Sequence, residues 1–296
     1  MRLDRHIAKL PAGEMAYVDE GEGSAVVLLH GFPTSAHVWR DLVPMLAPRA
    51  RVIAPDLIGY GDSAKPEDPS VLTIRSQAKA VRELLADLNV NSFAVVGHDI
   101  GGGVAQLLAL EDRVEAMVLA DSVAFDAWPI EGVKMIQGAQ PNHVTEDFVR
   151  NLIDVTFDLG MRRPERLAPE DRAEYVRPWL ADPMAVVRAA RGIDGQGLDG
   201  GDSRLSDVDA RVLIVWGEDD PFLSSELAER LGEALMGATV AILPGCSHYV
   251  TEDAAETVLP LISQYLAVHY LKESHRHPEP TPVELGVSFE RPSPDG

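Results

Sequence analysis

Gly97-His98-Asp99-Ile100-Gly101 joins an apolar run at residues 92–96 to a stretch of small, helix-forming residues at 101–108. A strand that enters a helix through such a tight turn holds the residue at its tip in a strained conformation and exposes its side chain. Flanking glycines let the backbone bend sharply. The residue at the tip is Asp99, and a carboxylate can displace a leaving group from saturated carbon. The stretch therefore predicts a nucleophile on a strand–turn–helix unit.

The composition of the chain is that of a globular protein with a sizeable apolar core. Its 296 residues are 46% hydrophobic and 25% charged, a size that suits one large domain or a domain with an insertion. The formal net charge of −21 argues against nucleic acid and anionic membrane surfaces as partners. We interpret this charge as an acidic, solvated surface that says little about the reaction.

Three features of the sequence bear on its compartment. Cys246 is the single cysteine, so an intramolecular disulfide is excluded, which fits a reducing environment. Residues 1–13 carry charges throughout and lack an apolar signal core. No window reaches the ~18 apolar residues of a membrane span. We therefore expect a cytoplasmic protein that does not associate with membranes.

Strand-like runs alternate with helical patterns along most of the chain, which is typical of an α/β protein with a mostly parallel sheet covered on both faces. Strands are predicted at 25–30, 51–57, 92–96, 116–120, 211–216 and 239–243, and helices at 38–47, 74–88, 104–110, 225–235 and 254–270. These elements assign residues 1–124 and 208–271 to one core.

The alternation stops between residues 125 and 207. Helical patterns occur there at 146–159 and 184–191, and a Gly/Asp-rich loop follows at 192–202. We predict that 125–207 is a helical cap over the carboxyl ends of the strands, where ligands bind in open α/β sheets. The Pro-rich residues 272–296 are predicted to be an extended or disordered tail.

Polar motifs follow several of the predicted strands. His30-Gly31-Phe32-Pro33 follows the first buried strand, and His248 follows the last. The segment 217–221, Gly-Glu-Asp-Asp-Pro, supplies carboxylates after the strand before it. A nucleophile, an acid and a histidine in this chain order match the arrangement of α/β-hydrolases.

The chain resembles the α/β-hydrolase family. The residues that carry the resemblance are the motifs at 30–35, 56–63 and 97–102, together with Asp220 and His248 near the end of the chain. Within that family it is similar to the Asp-nucleophile branch of epoxide hydrolases and haloalkane dehalogenases. The resemblance covers about residues 17–271. It implies an eight-stranded sheet with an inserted helical cap, a small apolar or amphipathic organic substrate and water as partners, and a monomer or homodimer. No cofactor is implied, and no residues show metal-ligand spacing.

The mechanism implied by the resemblance is also the one that the residue types favour. Asp99 would attack an electrophilic sp3 carbon and form an alkyl ester, and His248 would take a proton from the water that attacks this ester. Backbone N–H groups of Phe32 and Ile100 would hold the oxyanion. In the family the residue before this proline often precedes a cis peptide, so the Phe32–Pro33 bond is a candidate.

The acid that orients His248 has two candidates. Asp220 matches the family position after the seventh strand. Asp121 follows the run 118–120 and occupies the position after the sixth strand that some relatives use. We favour Asp220 and keep Asp121 as the alternative.

The neighbours of Asp99 favour an epoxide over a halide. Dehalogenases that resemble this chain usually hold the halide with a Trp directly after the nucleophile and with an Asn in the His-Gly-Asn-Pro motif or a cap Trp. Ile100 and Phe32 occupy those motif positions and carry no side-chain donor. Fluoroacetate-type dehalogenases tend to carry an Arg where Ile100 stands. The sequence thus predicts epoxide hydrolysis to a vicinal diol. The first alternative is haloalkane or haloacid dehalogenation by the same nucleophile. The second alternative is a ligand-binding protein with little turnover.

Epoxide opening also needs a donor to the ring oxygen. Relatives use two cap tyrosines or a His/Tyr pair, and Tyr175 and His143 are the tyrosine and the histidine of the predicted cap. They are therefore the candidate donors, with Tyr60 and Tyr249 outside the cap as substitutes. We interpret the Trp and Met residues of the predicted cap as mostly core or pocket lining; these are Trp128, Met135, Met161, Trp179 and Met184.

Overall fold

A computed structural model describes residues 4–194, 198, 204–271 and 289–290. It contains one mostly parallel sheet, as the sequence predicts. The strands are β1 (His6–Leu10), β2 (Gly13–Glu20), β3 (Ala25–Leu29), β4 (Arg51–Pro55), β5 (Phe93–His98), β6 (Val114–Ala120), β7 (Arg211–Gly217), β8 (Thr239–Leu243) and the two-residue β9 (Phe289–Glu290).

The strands lie in the order β1-β2-β4-β3-β5-β6-β7-β8-β9. Strands β3 to β8 run parallel to one another, while β1, β2 and β9 pair antiparallel with their neighbours. The predicted eight-stranded α/β-hydrolase sheet corresponds to β1–β8. In the predicted tail, residues 289–290 pair with β8. The other residues of 272–296 lie outside the described part of the chain.

Helices occupy both faces of the sheet. They are α1 (Val43–Leu46), α2 (Ile74–Asp87), α3 (Ile100–Glu111), α4 (Glu131–Gln137), α5 (Glu146–Gly160), α6 (Pro169–Leu180), α7 (Met184–Gly192), α8 (Glu226–Ala234), α9 (Val250–Asp253) and α10 (Ala255–His269), with 3₁₀ turns at Ala36–Trp39, Pro69–Leu72, Pro141–His143 and Pro164–Arg166. The single helix predicted at 38–47 is wrong, since a 3₁₀ turn and the short α1 replace it. Pro44 stands in the first turn of α1, where its missing N–H costs nothing, but it does not continue a helix from before.

The inner strands and the amphipathic helices form the core. Every residue of β3 and β5 is buried, as expected for parallel strands covered on both faces. Helix α2 places Ala78, Val81 and Leu85 against the sheet, and their spacing of three and four residues gives one apolar face. This rigid sheet fixes the positions of the loops at its carboxyl edge.

Helices α4 to α7 lie between β6 and β7 in the sequence. Gln137 Nε2 donates to the carbonyl oxygens of Ala190 and Ile193, both at 3.0 Å, which joins α4 to the end of α7. At the other side, the N–H of Tyr249 donates to the carbonyl oxygen of Gly160, the last residue of α5, at 3.0 Å. Hydrogen bonds thus hold this segment together and fix α5 to the loop after β8. Within the described ranges, no helix is long and apolar enough to cross a membrane.

Candidate active site

Asp99 occupies the turn between β5 and α3, with φ 52° and ψ −120°. A non-glycine residue in such a sparsely populated region costs about 1–3 kcal/mol. Tight packing around the turn leaves room for glycine only, because a Cβ on Gly101 would lie 2.3 Å from the carbonyl oxygen of Leu29. The strand–turn–helix geometry predicted from the sequence is present.

The two carboxylate oxygens of Asp99 have different surroundings. Oδ2 accepts a hydrogen bond from the N–H of Phe32 at 2.8 Å, and the N–H of Ile100 also stabilises the charged form. Oδ1 is buried and has no hydrogen-bond partner among the described residues. Burial raises the pKa of Asp99 to about 6, against the opposing effects of His248 and the two N–H groups. One oxygen is therefore held in place and the other is available to react.

The loop after β3 carries the Phe32 N–H. The Phe32–Pro33 peptide is cis, as the sequence predicts. His30 fixes the start of this loop, since its Nε2 accepts from the N–H of Leu57 at 3.0 Å and its Nδ1 donates to the carbonyl oxygen of Gly31 at 2.9 Å. Burial lowers the pKa of His30 to about 4, which keeps the ring neutral.

Asp220 holds His248 in the orientation that the proposed chemistry needs. Nδ1 of His248 donates to Oδ2 of Asp220 at 2.9 Å, while Oδ1 of Asp220 accepts from the N–H groups of Phe222 and Leu223 at 2.8 and 3.0 Å. Burial disfavours the charged imidazole, but the charge and hydrogen bond of Asp220, together with Asp99, outweigh it and raise the pKa of His248. With Nδ1 engaged, Nε2 is the nitrogen that can accept a proton.

The alternative acid, Asp121, lies beside Asp220 and His248 but binds a different group. Its Oδ1 accepts from the N–H of Gly217 at 2.8 Å, and burial together with the charge of Asp220 raises its pKa well above the ordinary range. Among the described residues, Asp121, Asp220 and His248 bring one atom each within 4.8 Å of one another, a spacing that could suit a cation. Asp220 and His248 already hydrogen-bond to each other, and a neutral Asp121 carboxyl is a poor ligand, so we propose no metal here.

A cavity of about 520 Å³ lies over Asp99 and His248, and residues of α4 and α5 form its opposite wall. Its lining is mostly apolar, as is usual for small-molecule sites. In the described part of the chain, two buried polar atoms that lack a partner belong to lining residues: Asp99 Oδ1 and Trp128 Nε1. One is an acceptor on the carboxylate, and the other is a donor.

The structure does not place the two expected cap donors at this cavity. The hydroxyl of Tyr175 donates to Oε1 of Glu252 at 2.6 Å, because α6 turns this side chain towards the core, where its buried O–H needs an acceptor. His143 is exposed on the 3₁₀ turn Pro141–His143. Neither residue lines the cavity.

Of the two substitutes outside the cap, Tyr249 lines the cavity and Tyr60 does not. The Tyr249 hydroxyl lies 3.5 Å from the carbonyl oxygen of Phe32, the residue whose N–H holds Asp99. Tyr249 and Trp128 are therefore the aromatic side chains that bring a polar donor to the cavity. The sequence carried no signal for Trp128 beyond its place near the start of the insertion.

Comparisons with known proteins identify the family of this chain. Residues 26–260 match the sequence model of a family described as the alpha/beta hydrolase family. A soluble epoxide hydrolase of Corynebacterium sp. (strain C12) is 31% identical over 287 residues, which span 90% of this chain and 98% of that protein. A cis-3-alkyl-4-alkyloxetan-2-one decarboxylase of Xanthomonas campestris pv. campestris is 30% identical, over 86% of this chain and 93% of that protein. The solved structure of the epoxide hydrolase CorEH without ligand has a TM-score of 0.76 and 26% identity, and the match covers 90% of this chain and 99% of that one.

Proposed function

We propose that this chain, which belongs to the alpha/beta hydrolase family, hydrolyses an epoxide to a vicinal diol through an ester on Asp99. The observation that carries the proposal is the buried Asp99 carboxylate, whose Oδ2 is held by an N–H while Oδ1 has no partner among the described residues. It shares a mostly apolar cavity with His248. The similarity to a soluble epoxide hydrolase supports this choice of substrate.

In the first step, Oδ1 of Asp99 attacks a ring carbon. A bond forms between this carbon and Oδ1, the carbon–oxygen bond of the ring breaks, and the electron pair stays on the ring oxygen. Trp128 Nε1–H donates a hydrogen bond to that oxygen, and the hydroxyl of Tyr249 gives it a proton. A donor aimed at developing charge in a buried site lowers the barrier by ~3 kcal/mol.

In the second step, His248 takes a proton from water, and the water oxygen adds to the Asp99 carboxyl carbon. The negative charge develops on Oδ2, which already accepts from the N–H of Phe32, and the N–H of Ile100 also stabilises negative charge on this carboxyl group. Collapse breaks the bond between the carboxyl carbon and Oδ1, and the electron pair of that bond stays on Oδ1. The proton of the added hydroxyl passes to Oδ1, so the diol leaves with that oxygen and Asp99 is a carboxylate again. The proton held by His248 returns to Tyr249, so the net reaction adds one water to the epoxide.

Formation of the ester also prepares the base. The negative charge of Asp99 is one of the causes that raise the pKa of His248. Alkylation removes this charge, so the pKa of His248 falls once the ester exists. A neutral imidazole is then available when water has to be activated.

The test is intact-mass spectrometry of a His248→Gln variant incubated with epoxides. The variant forms the ester but activates water poorly, so an adduct with the full mass of the epoxide is expected on Asp99. The His248→Gln, Asp99→Ala double variant is the control and is expected to give no adduct. Retention of native turnover by an Asp99→Ser enzyme would exclude Asp99 as the nucleophile.

A second candidate substrate is an oxetan-2-one, another strained ring with an electrophilic sp3 carbon. The similarity to a decarboxylase of such lactones favours it. The same mass experiment is run with one candidate at a time. An epoxide or a lactone adds its full mass to Asp99, whereas a haloalkane adds only its alkyl group. The adduct opened at the sp3 carbon of a lactone carries a carboxylate, and the epoxide adduct carries a hydroxyl. Dehalogenation is less well supported, since the two motif positions that hold the halide in such relatives are Ile100 and Phe32, which carry no side-chain donor. The hydrogen-bonded pair of Asp220 and His248 beside Asp99 argues against a binding protein with little turnover.

A further inference from the structure

The outer rim of the cavity is apolar and open to solvent. Met135, Val155 and Leu159 line the cavity, and their exposed fractions are 77%, 54% and 60%. Exposed apolar side chains that continue the lining of a pocket are typical of a binding surface. Met135 lies on α4 and the other two on α5, so both helices extend the cavity outwards.

Helix α5 carries two apolar faces. One face, which contains Val149, Ile153 and Phe157, is fully buried. The other is mostly apolar: Leu152, Val155 and Leu159 line the cavity at helical spacing, with Asn151 and Thr156 as the polar residues of the same face. A surface helix needs one apolar face for folding. The second face is therefore explained by a ligand and not by the core.

The charges around the cavity select against ionised ligands. No Lys or Arg appears among the described residues that line it. The acidic and the basic side chain in the lining, Asp99 and His248, both take part in the proposed reaction. The net charge of −21 adds a long-range field that repels anions. A carboxylate or phosphate on the substrate would therefore find no Lys or Arg to pair with in the described lining.

We propose that the substrate is a neutral epoxide with a long alkyl chain, and this rests on the proposed function. Its ring lies at Asp99, and its chain runs between α4 and α5 to the rim formed by Met135, Val155 and Leu159. Each methylene that moves from water into the cavity is expected to raise kcat/KM roughly threefold to fourfold. A terminal carboxylate on the chain loses this gain.

The first experiment compares kcat/KM for 1,2-epoxyalkanes from 1,2-epoxypropane to 1,2-epoxydecane. We expect a rise with chain length that levels off once the chain reaches the rim. Replacing the terminal methyl of the longest chain by a carboxylate is expected to lower kcat/KM by at least ~10-fold. A flat profile, or equal activity on the carboxylate, overturns the proposal.

The second experiment uses two methionines of equal exposure. Met135 on the rim is 77% exposed, and Met236, which is not among the lining residues, is 76% exposed. Met135→Gln is expected to lower the ratio of kcat/KM for 1,2-epoxydecane over 1,2-epoxypropane by roughly threefold to tenfold. Met236→Gln is expected to leave this ratio unchanged. Equal ratios in the two variants contradict a rim that contacts the chain.

A binding measurement separates failure of this inference from failure of the proposed function. Calorimetric titration with 1,2-decanediol and 1,2-propanediol needs no turnover, and tighter binding of the longer diol supports the apolar path even if no epoxide reacts. Equal binding of both diols overturns it. Sedimentation of Met135→Gln tests whether a second copy of the chain covers the rim, and a change in association without a change in chain-length preference rejects the alkyl path.

Discussion

Asp99 titrates close to neutrality, because burial raises its pKa to about 6. The ionised carboxylate is the form that attacks, so protonation removes the nucleophile. We expect the rate constant of ester formation to fall as the pH drops below about 6, by roughly tenfold per pH unit. Rapid-quench kinetics of the unsubstituted enzyme in a single turnover resolves this step from ester hydrolysis and keeps His248, whose presence lowers the pKa of Asp99. A rate that does not change between neutral pH and well below 6 contradicts the assignment.

Trp128 is the residue for which removal of a single N–H tests the proposed ring opening. Trp128→Phe keeps an aromatic ring at the cavity but deletes the donor, and we expect ester formation to slow on the order of 10²-fold. The hydrolysis of an ester already formed is expected to change little, since its oxyanion lies at Phe32 and Ile100. Single-turnover measurements give both rate constants.

Trp39 provides the matched control for this change. Its Nε1 is also buried and lacks a partner among the described residues, but it does not line the cavity. Trp39→Phe therefore removes a buried N–H from a residue that does not line the cavity. Equal effects of the two substitutions on ester formation argue that Trp128 acts through packing and not as a donor.

Helix α6 is fastened to the core by a buried polar cluster. Arg40 donates both terminal N–H groups to Glu252 at 2.7 and 2.8 Å, and Tyr175 on α6 donates to the same carboxylate. Asp171, also on α6, lies 3.2 Å from Arg40 and 2.8 Å from His37. Because each buried charge in this cluster has a partner, removing a single member is costly.

This cluster predicts the effect of a substitution at Tyr175. Tyr175→Phe deletes the hydrogen bond to Glu252, so the free energy of unfolding is expected to fall by about 2 kcal/mol. Ester formation is expected to stay unchanged, in contrast with Tyr249→Phe, which removes the proposed proton donor. Denaturant unfolding and single-turnover kinetics measure the two effects. Slower ester formation in Tyr175→Phe, at the level of Tyr249→Phe, would restore Tyr175 as the ring-oxygen donor.

The elements of the core are predictable because their burial is uniform. Strands β3, β5 and β7 read as continuous apolar runs, and the structure places them within two residues of the predicted bounds. The hairpin of β1 and β2 is not predicted from the sequence. Four of the five residues in β1 are not buried, so its sequence lacks the alternation that marks a half-buried strand. Helix α6 escapes prediction for a related reason, since charged residues and Pro178 interrupt its apolar pattern.

At the scale of the whole molecule, topology explains which site residues the sequence could identify. Asp99, Asp220 and His248 follow parallel strands whose carboxyl ends meet at one edge, so their proximity follows from the strand order. The donors to a leaving oxygen depend instead on how helices between β6 and β7 pack. Tyr175 points away from the cavity because Glu252, four residues after His248, provides a buried acceptor for its hydroxyl. Nothing in the spacing of those two residues reveals that contact.

The two parts of the chain divide the proposed work. The sheet and its loops supply the reacting groups, while α4 and α5 supply most of the apolar wall. Substitutions of the cavity-lining residues on these helices can thus alter which alkyl chain of a substrate fits, without moving Asp99 or His248. The nucleophile and the base can therefore stay unchanged while the choice of substrate varies, whereas the donor Trp128 belongs to the insertion itself.

The unequal oxygens of Asp99 have a consequence for the history of the protein itself. In the proposed reaction, Oδ1 departs with the diol and an atom from water takes its place, while Oδ2 stays bound to the N–H of Phe32. Each catalytic cycle therefore exchanges part of the polypeptide for solvent. Protein that has worked in water enriched in heavy oxygen would carry a lasting isotopic record at one aspartate, and its first product molecule would contain none of the label.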